Sequence, residues 1–442
     1  MRNSLSRALS SPAVIVAVAF ALRMGLLFYF TSSWPAVRSG SSTFGYETGR
    51  VARAIAAGEG FSSPLNVNTG PTAWFTPVYP YLLAGVFKLF GTYTAQSLLV
   101  IQTLNCAFSA LACLPVFFVG RKVFGPTVAA WSGWVWALLP SAVIFPILWV
   151  WDTSLSALLM GLLLWATLSL RHSTNVQSWV GYGLLWALAV LTNPSFLSLL
   201  PFLLSWLAFQ ASKQVANWQR LVGAAAMVFV LGVSPWIVRN YLTFEKLVLF
   251  RSNFGLELYL GNNEHVPDSW SWWLHPNDND EEREKFRRMG EIAYMAEKQR
   301  EALHFIANHP RDVLRFLFHR FVNNWTGAWD PIADVWSTAP WYLRGNYLLS
   351  WVFSVLAFLG LFFTSRARKR ETVPFAVVLL VFPLVYYITH TSLRYRHPID
   401  PVMTVLAVYA VAYPISKRVQ LFADGPASVS GPPATEELSA AK

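Results

Sequence analysis

The sequence predicts an α-helical polytopic membrane protein, and three observations support this prediction. Of the 442 residues, 55% are hydrophobic and only 13% are charged, whereas a soluble domain is typically about 25% charged. Apolar runs of about 20 residues, the length that an α-helix needs to cross a bilayer, recur along the chain. The formal net charge of +11 is concentrated in short connections between these runs. That distribution is typical of membrane topology rather than of nucleic-acid binding.

Ten apolar segments predict about ten membrane crossings. Their approximate bounds are 12–32, 97–120, 127–148, 153–170, 177–193, 195–211, 221–240, 346–365, 374–390 and 399–416. The first segment follows Arg2 and Arg7 and is too long for the apolar part of a signal peptide. We therefore expect an uncleaved signal anchor. The connections on one side are rich in Lys and Arg and contain one acid, Glu371, so this side is predicted to be cytoplasmic.

The segment "VYPYLLAGVFKLFG", residues 78–91, is apolar but short. At about 1.5 Å per residue it reaches about 21 Å, against a hydrocarbon core of about 30 Å. Counting it as a crossing would also move later basic loops to the wrong side. We therefore predict an interfacial helix on the outer surface, anchored by Tyr79, Tyr81 and Lys88.

These assignments divide the chain into four parts. Residues 1–241 form an N-terminal transmembrane module that includes a first external loop, 33–96. Residues 242–345 are predicted to form a small external soluble domain, and residues 346–418 the C-terminal transmembrane helices. The remainder, 419–442, is rich in Pro, Ala and Ser and is predicted to be a disordered cytoplasmic tail.

The first external loop contains "FGYETGRVARAIAAGEGF", residues 44–61. Residues 46–57 predict a short helix in which Glu47 and Arg50, three apart, share a face. Arg53 lies three residues after Arg50. Two interpretations remain open on the spacing alone. The residues are a surface ion pair beside lipid headgroups, or a general base for an acceptor together with an arginine that binds a phosphate.

Several motifs, taken in order, resemble those of one enzyme superfamily. After the 44–61 segment come "GPTAWFTPVYPYLLA" (70–84), "GRKVFG" (120–125), "LTNPSFLSLLP" (191–201) and "SLRYRHPIDP" (392–401). Their order and topology resemble the GT-C glycosyltransferases. Family 39, which includes protein O-mannosyltransferases and the lipid A aminoarabinose transferase, is the most similar branch.

The resemblance implies a GT-C-like bundle of about ten transmembrane helices, with outer-surface juxtamembrane helices and a small external soluble domain. It implies transfer of a sugar from a polyprenyl-phosphate donor to a protein, lipid or glycan acceptor at the outer face of the cytoplasmic membrane. Glu47 matches the catalytic carboxylate, Arg50 a position that contacts the donor phosphate, and Asp152 an acid at the rim of the active site.

Four more residues complete the predicted substrate-binding set. Arg394 and Arg396 lie at the outer end of a predicted helix and are expected to face the same cavity as phosphate partners, with headgroup contact as the open alternative. Arg53 and Tyr79 belong to the first loop and its following helix. The chain departs from the family in having Tyr46 before Glu47, the turn "TPVYP" without adjacent prolines, and Thr76 where some relatives have lysine. The soluble domain 242–345 matches no known task either, so the sugar and the acceptor stay open.

Other features are assigned structural roles or left open. Arg23, in the middle of the first predicted helix, is expected to brace a buried network, with a polyprenyl phosphate as its alternative partner. Arg239 is expected to be an interface anchor, and Cys106 and Cys113 to be core residues. No Walker-type phosphate loop or EF-hand spacing occurs, so no cofactor is predicted, and a divalent metal ion stays open.

A polytopic transporter or flippase for a lipid or amphiphile is the main alternative. It explains the helices and the cationic outer surface, but such proteins commonly contain internal repeats, and this sequence has none that we detect. A non-catalytic assembly subunit is the third interpretation.

Overall fold

A computed structural model of the chain describes residues 9–33, 41–267, 269–327 and 341–423, and all regular secondary structure in them is helical. In chain order the α-helices are α1 (Pro12–Ser33), α2 (Glu47–Ala56), α3 (Val78–Phe90), α4 (Ala95–Leu111), α5 (Cys113–Phe124), α6 (Pro126–Leu138), α7 (Pro140–Leu148), α8 (Thr153–Leu170), α9 (Val176–Thr192), α10 (Leu200–Ala211), α11 (Trp218–Phe244), α12 (Phe254–Gly261), α13 (Asp280–Met289), α14 (Glu291–Asn308), α15 (Pro310–Thr326), α16 (Trp341–Ala367), α17 (Lys369–Val381), α18 (Leu384–Ile388), α19 (Leu393–Arg396) and α20 (Asp400–Ala423). Because α20 continues to Ala423, the part of the predicted tail that follows it lies outside the described residues.

In the described ranges, eight helical segments are long and apolar enough to cross a membrane. They are Pro12–Thr31, Ala95–Phe124, Pro126–Leu148, Thr153–Leu170, Trp218–Phe244, Tyr347–Ala367, Arg370–Ile388 and Leu393–Ile415. The shorter apolar helices α9 and α10 correspond to two more of the predicted crossings, and both bury residues in the main core. The chain is a multi-pass membrane protein with a bundle of about ten helices.

Helix α3 differs from its prediction. It has one buried face, on which Tyr79 is 3% exposed and Phe87 is buried. The Tyr79 hydroxyl accepts a hydrogen bond from Asn105 Nδ2 of α4 at 3.0 Å. Tyr81 and Lys88 lie on the exposed face. Tyr79 is therefore not an interfacial anchor, because residues 79 and 87 share the face that packs on the bundle while 81 and 88 do not.

One predicted crossing is broken in the middle. Helices α6 and α7 are separated at Leu139, where the backbone is extended, whereas Ala112 between α4 and α5 keeps helical dihedral angles. Pro140 explains this break, since proline lacks an N–H donor and disfavours helical geometry in the residue before it.

The Arg23 side chain satisfies the Ala137 carbonyl, which this break releases, and the Ala142 carbonyl, which lacks a helical donor because residue 146 is proline. It is fully buried and donates to the carbonyl oxygens of Ala137 at 3.1 Å and Ala142 at 3.1 Å, and to Ser109 Oγ at 3.0 Å. An unpaired carbonyl within the hydrocarbon core is costly. Arg23 thus has the bracing role that we expected, inside the α1–α4–α6–α7 packing.

The segment between α11 and α16 is predicted to be external and is called the outer segment; its described part packs against the first loop, which is also predicted to be external. Trp74 of the loop shares a small core with Leu256 of α12 and Tyr294 of α14. The buried Glu291 carboxylate accepts from Ala73 N–H at 2.7 Å, from the Ser252 hydroxyl at 2.6 Å and from the Thr72 hydroxyl. The part of the predicted soluble domain that the structure describes is therefore joined to the loop that carries Glu47.

Arg239, at the end of α11, also holds this loop. Its guanidinium donates to the carbonyl oxygens of Thr72 at 2.7 Å and Phe61 at 2.9 Å. The expectation that Arg239 anchors the protein at the membrane interface is wrong, because the hydrogen-bond acceptors of its guanidinium are carbonyl oxygens of the loop and not lipid headgroups.

Candidate active site

Glu47 is the first residue of α2, and the turn before it fixes its location. Gly45 has a φ of +83°, and a Cβ at this position would collide with the carbonyl oxygen of Val150. Glycine is required for both reasons. Tyr46 also has a positive φ, and its ring stacks on Trp151 with the centroids 6.4 Å apart. The turn therefore brings Glu47 beside the segment that leads into α8.

An asparagine from the outer segment joins Glu47 to Arg50. The Asn277 Nδ2 atom donates to Glu47 Oε1, and Arg50 Nη1 donates to Asn277 Oδ1 at 2.6 Å. Arg50 is 7% exposed and also donates to the carbonyl oxygen of Pro64. Burial lowers the pKa of Arg50, and the nearby charge of Glu47 opposes that shift. Glu47 and Arg50 are thus linked through an amide rather than as an exposed ion pair.

His275 lies on the other side of Glu47. Its Nε2 atom is 3.8 Å from Glu47 Oε1, and its Nδ1 atom accepts from the Asn277 backbone N–H at 3.1 Å. A ring nitrogen that accepts carries no proton, so the proton of the neutral ring is on Nε2 and faces the carboxylate. The Glu47 side chain remains 18% exposed. It therefore combines fixed neighbours with access from solvent.

Asp152 precedes α8 and is the second carboxylate at this end of the bundle. It accepts from the Ser156 hydroxyl at 2.8 Å and from Asn193 Nδ2 at 3.4 Å. Burial raises the pKa of Asp152, and the charges of Arg251 and Arg394 oppose the rise. The predicted acid at the rim is thus within electrostatic range of two arginines.

Arg394 has the environment expected of an anion-binding group. Its guanidinium carbon is 3.7 Å from the centroid of the Trp151 ring, and Nη2 donates to the Tyr395 hydroxyl at 2.8 Å. Within the part of the chain that the structure describes, no carboxylate oxygen lies within 4.0 Å of it, and its buried Nε has no hydrogen-bond partner. Its positive charge is therefore not neutralised by direct contact.

Arg396 does not share this environment. It is 3% exposed, its Nε lies 3.2 Å from Asp400 Oδ1, and its Nη1 faces the carbonyl oxygen of Trp325. The expectation that Arg394 and Arg396 face one cavity is wrong, because residues two apart on a helix such as α19 project to different sides.

Arg53 and Tyr79 also lie apart from Glu47. Arg53 forms an exposed ion pair with Glu59 at 3.2 Å, and the Tyr79 hydroxyl is bonded to Asn105 inside the bundle. Neither side chain contacts Glu47 in the described structure. Their predicted substrate contacts receive no support from this geometry.

Glu257 of α12 is a third carboxylate, and the sequence analysis missed it. Burial raises its pKa; the charges of Arg251, His275 and Arg394 oppose the rise, whereas the charge of Glu47 adds to it. Glu257 therefore lies within electrostatic range of Glu47 and Arg394. The signal in the sequence was a single charged residue inside the apolar run "FGLELYLG". His275 and Asn277 gave no comparable signal.

The arrangement brings three carboxylates and several cations to one end of a helical bundle. Such a site can accept a proton at Glu47 and bind an anion at Arg394. Within the described residues, no group of three or more His, Cys, Asp or Glu side chains has the geometry to hold a metal ion.

The helical bundle, with its short helix in the first outer loop, has the fold of the GT-C membrane glycosyltransferases. No protein-family model matches the sequence, and no curated protein matches it. The fold is therefore identified from solved structures alone.

Two oligosaccharyltransferase structures from the archaeon Archaeoglobus fulgidus, the first of AglB, match over almost the whole chain. The complex with an inhibitory peptide and a dolichol-phosphate has a TM-score of 0.54 and 17% identity, covering 97% of this chain and 52% of that one. The apo form has a TM-score of 0.56 and 16% identity, covering 93% and 51%. This chain thus spans about half the length of these enzymes.

A third match is ArnT from Cupriavidus metallidurans bound to undecaprenyl phosphate. It has a TM-score of 0.42 and 15% identity, covering 91% of this chain and 78% of that one. This TM-score is too low to indicate a closer relationship to the aminoarabinose-transferase branch.

Proposed function

We propose that this protein is a membrane glycosyltransferase that moves a sugar from a polyprenyl-phosphate donor to an acceptor at the outer face of the cytoplasmic membrane. One observation carries the proposal. In a chain with the GT-C fold, Trp151 contacts both parts of the site: the ring of Tyr46, which directly precedes the solvent-accessible carboxylate Glu47, stacks on it, and Arg394, a guanidinium without a carboxylate partner, lies over it. Sugar transfer from a phosphate-linked donor requires these two groups, a base for the acceptor and a cation for the leaving phosphate.

The proposed reaction is a single displacement with inversion. Glu47 accepts the proton of an acceptor hydroxyl or amine, whose lone pair forms the new bond to the anomeric carbon. The bond from that carbon to the phosphate oxygen breaks, and the phosphate leaves with the electron pair. Arg394 stabilises the charge that develops on this phosphate.

The neighbours of Glu47 are proposed to orient it. Asn277 and His275 direct N–H groups at the carboxylate, which restricts its rotation. Arg50 holds Asn277 in turn. Asp152 is proposed to line the entrance for sugar hydroxyl groups. Fixed orientation of the reacting groups lowers the entropic part of the barrier.

The orientation in the membrane follows from the basic connections between helices. Arg171 and Glu371 belong to two connections that were both predicted to be cytoplasmic, and they form an ion pair at 2.6 Å. This contact requires the two connections to lie on the same side and so supports the proposed topology. Glu47 then lies on the outer side.

The polyprenyl chain is proposed to occupy an apolar groove between α15 and α16. The groove has a volume of about 430 Å³, and its lining includes Phe321, Trp325, Trp351 and Phe358. The carbonyl oxygen of Trp325 contacts Arg396 of α19, the helix that also carries Arg394. The groove therefore borders the Arg396 side of α19, and we propose that the lipid chain passes around this short helix to place its phosphate at Arg394.

The test begins with mass spectrometry of cell-envelope glycans from cells with and without the protein, which identifies the sugar. The matching polyprenyl-phosphate donor is then supplied in excess to purified parent and Glu47→Gln proteins in detergent. A positioned general base typically contributes about 10²–10⁴-fold in rate, so the variant should be slower by roughly that factor at equal protein level. Parent-like transfer by the variant would remove the catalytic role of Glu47. Lipid translocation in vesicles, without transfer, would support the transporter alternative.

A further inference from the structure

Three side chains of one short segment, Arg394, Tyr395 and His390, are joined by hydrogen bonds, and the Glu257 carboxylate of α12 lies beside the last of them. His390 Nδ1 lies 3.4 Å from Glu257 Oε2 of α12, and His390 Nε2 lies 3.1 Å from the Tyr395 hydroxyl. That hydroxyl accepts from Arg394 Nη2 at 2.8 Å. The carboxylate that the sequence analysis missed therefore lies beside a histidine that is bonded, through Tyr395, to the proposed phosphate-binding arginine.

The direction of each hydrogen bond follows from the chemistry of its ends. A guanidinium only donates, so the Tyr395 oxygen accepts from Arg394 and its own proton is free for His390 Nε2. Because Nε2 then accepts, the proton of the neutral ring is on Nδ1, which lies 3.4 Å from Glu257 Oε2 without forming a hydrogen bond. Burial lowers the pKa of His390 to about 3, which keeps the ring neutral. The ring is fixed further by stacking on Trp270 with the centroids 4.5 Å apart.

Arg394 has few other restraints. It lies over Trp151, and its Nε has no partner. Contact with an aromatic face holds a guanidinium in its plane but leaves rotation within that plane free. The bond to Tyr395 is therefore the contact that sets which N–H groups of Arg394 point away from the protein.

We propose that Glu257, His390 and Tyr395 are positioning residues that orient the Arg394 guanidinium for the phosphate group of a lipid-linked donor. This inference rests on the proposed function, and it assigns Glu257 a role through Arg394 rather than at the reacting atoms. His390 accepts from Tyr395, Tyr395 accepts from Arg394, and the Glu257 carboxylate lies 3.4 Å from His390 Nδ1 and favours the proton on that nitrogen.

The first test measures the dissociation constant of undecaprenyl phosphate in detergent micelles for the parent, Arg394→Gln and Tyr395→Phe. Tyr386→Phe is the matched control, since its ring stacks on Tyr395 at 4.8 Å while its hydroxyl bonds to Ser195. Loss of one hydrogen bond to a charged group should weaken binding by about 10-fold in Tyr395→Phe, with the control close to the parent. Equal constants for the two Tyr→Phe variants would overturn the positioning role.

The second test compares Glu257→Gln with Glu257→Leu. Both remove the same charge, but only glutamine keeps a side-chain oxygen beside His390 Nδ1. Binding by Glu257→Gln should be at least as tight as by the parent, since a nearby negative charge is lost, and Glu257→Leu should bind about 10-fold more weakly than Glu257→Gln. Equal binding by the two variants would overturn the inference. Glu257 is 26% exposed, so we expect its variants to fold. They can therefore test the inference even if Tyr395→Phe does not fold.

Control ligands separate this inference from the proposed function. Undecaprenol, which lacks phosphate, should bind the parent and Tyr395→Phe equally; an equal loss for both lipids would mean a general structural defect and overturn positioning. Parent-like binding by Arg394→Gln, or inorganic phosphate bound as tightly as the lipid, would overturn the donor-phosphate site itself. If Arg394→Gln binds weakly while Tyr395→Phe and Glu257→Leu bind like the parent, the donor-phosphate site is supported and only the positioning role is overturned.

Discussion

Replacement of Asn277 tests whether the outer segment takes part in the chemistry or only covers the site. The change Asn277→Leu keeps the approximate size of the side chain but removes the donor to Glu47 and the acceptor for Arg50. Arg50 would keep its bond to the Pro64 carbonyl, and His275 would remain beside Glu47. The variant thus releases the carboxylate from one of its two restraints.

The size of the effect follows from the contacts that are lost. A hydrogen bond to a charged group typically contributes about 1.5–3 kcal/mol. If this energy holds Glu47 in its reactive orientation, its loss raises the barrier by a similar amount. At about 1.4 kcal/mol per factor of ten, transfer should slow by roughly 10- to 100-fold. That is less than the expected effect of Glu47→Gln, because the base itself remains.

The assay measures the transfer rate with donor in excess, together with the thermal unfolding midpoint. Asn279→Leu is the matched control, since Asn279 caps α13 by accepting from Glu282 N–H at 3.0 Å and does not contact Glu47. Loss of an N-cap costs about 0.5–2 kcal/mol of stability. Asn279→Leu should therefore lower the midpoint and leave the transfer rate near that of the parent.

Two results would refute this reasoning. Equal transfer rates for Asn277→Leu and Asn279→Leu would mean that the bridge does not orient Glu47. A transfer rate above that of the parent would mean that the Asn277 amide occupies the place of the acceptor and must be displaced, which is the opposite of an orienting role.

Two further predictions concern topology and Arg396. A reporter fused after Lys122 or Arg370 should read cytoplasmic and one within 270–290 external, because basic connections stay inside; a reporter after Gly91 that read cytoplasmic would contradict the assignment. Arg396→Gln should lower the thermal midpoint far more than the exposed Arg366→Gln, since breaking a buried ion pair such as Arg396–Asp400 costs about 3–5 kcal/mol. Similar midpoints for the two variants would mean that the pair does not stabilise the fold.

The sequence predicted those parts of the molecule that depend on local properties. The length and polarity of each apolar run predicted a multi-pass bundle, because bilayer thickness fixes how many residues a crossing needs. The break at Pro140 is similarly local, although its partner Arg23 is more than a hundred residues away. The order of the motifs predicted the GT-C fold and directed attention to Glu47, Arg50, Asp152 and Arg394. Their roles in catalysis and binding remain predictions.

Tertiary structure decided which of these side chains meet and which other residues join them. Asn277 bonds to Glu47 across 230 positions of sequence, and no spacing rule reaches that far. Arg394 and Arg396 are nearly adjacent in the chain, yet one lies over Trp151 without a carboxylate partner and the other is buried against Asp400. A sequence motif lists residue types, but the direction of each side chain depends on helix rotation and on packing against distant elements. Glu257 and His275 belong to the site for that reason, since the fold of the outer segment onto the first loop brings them there.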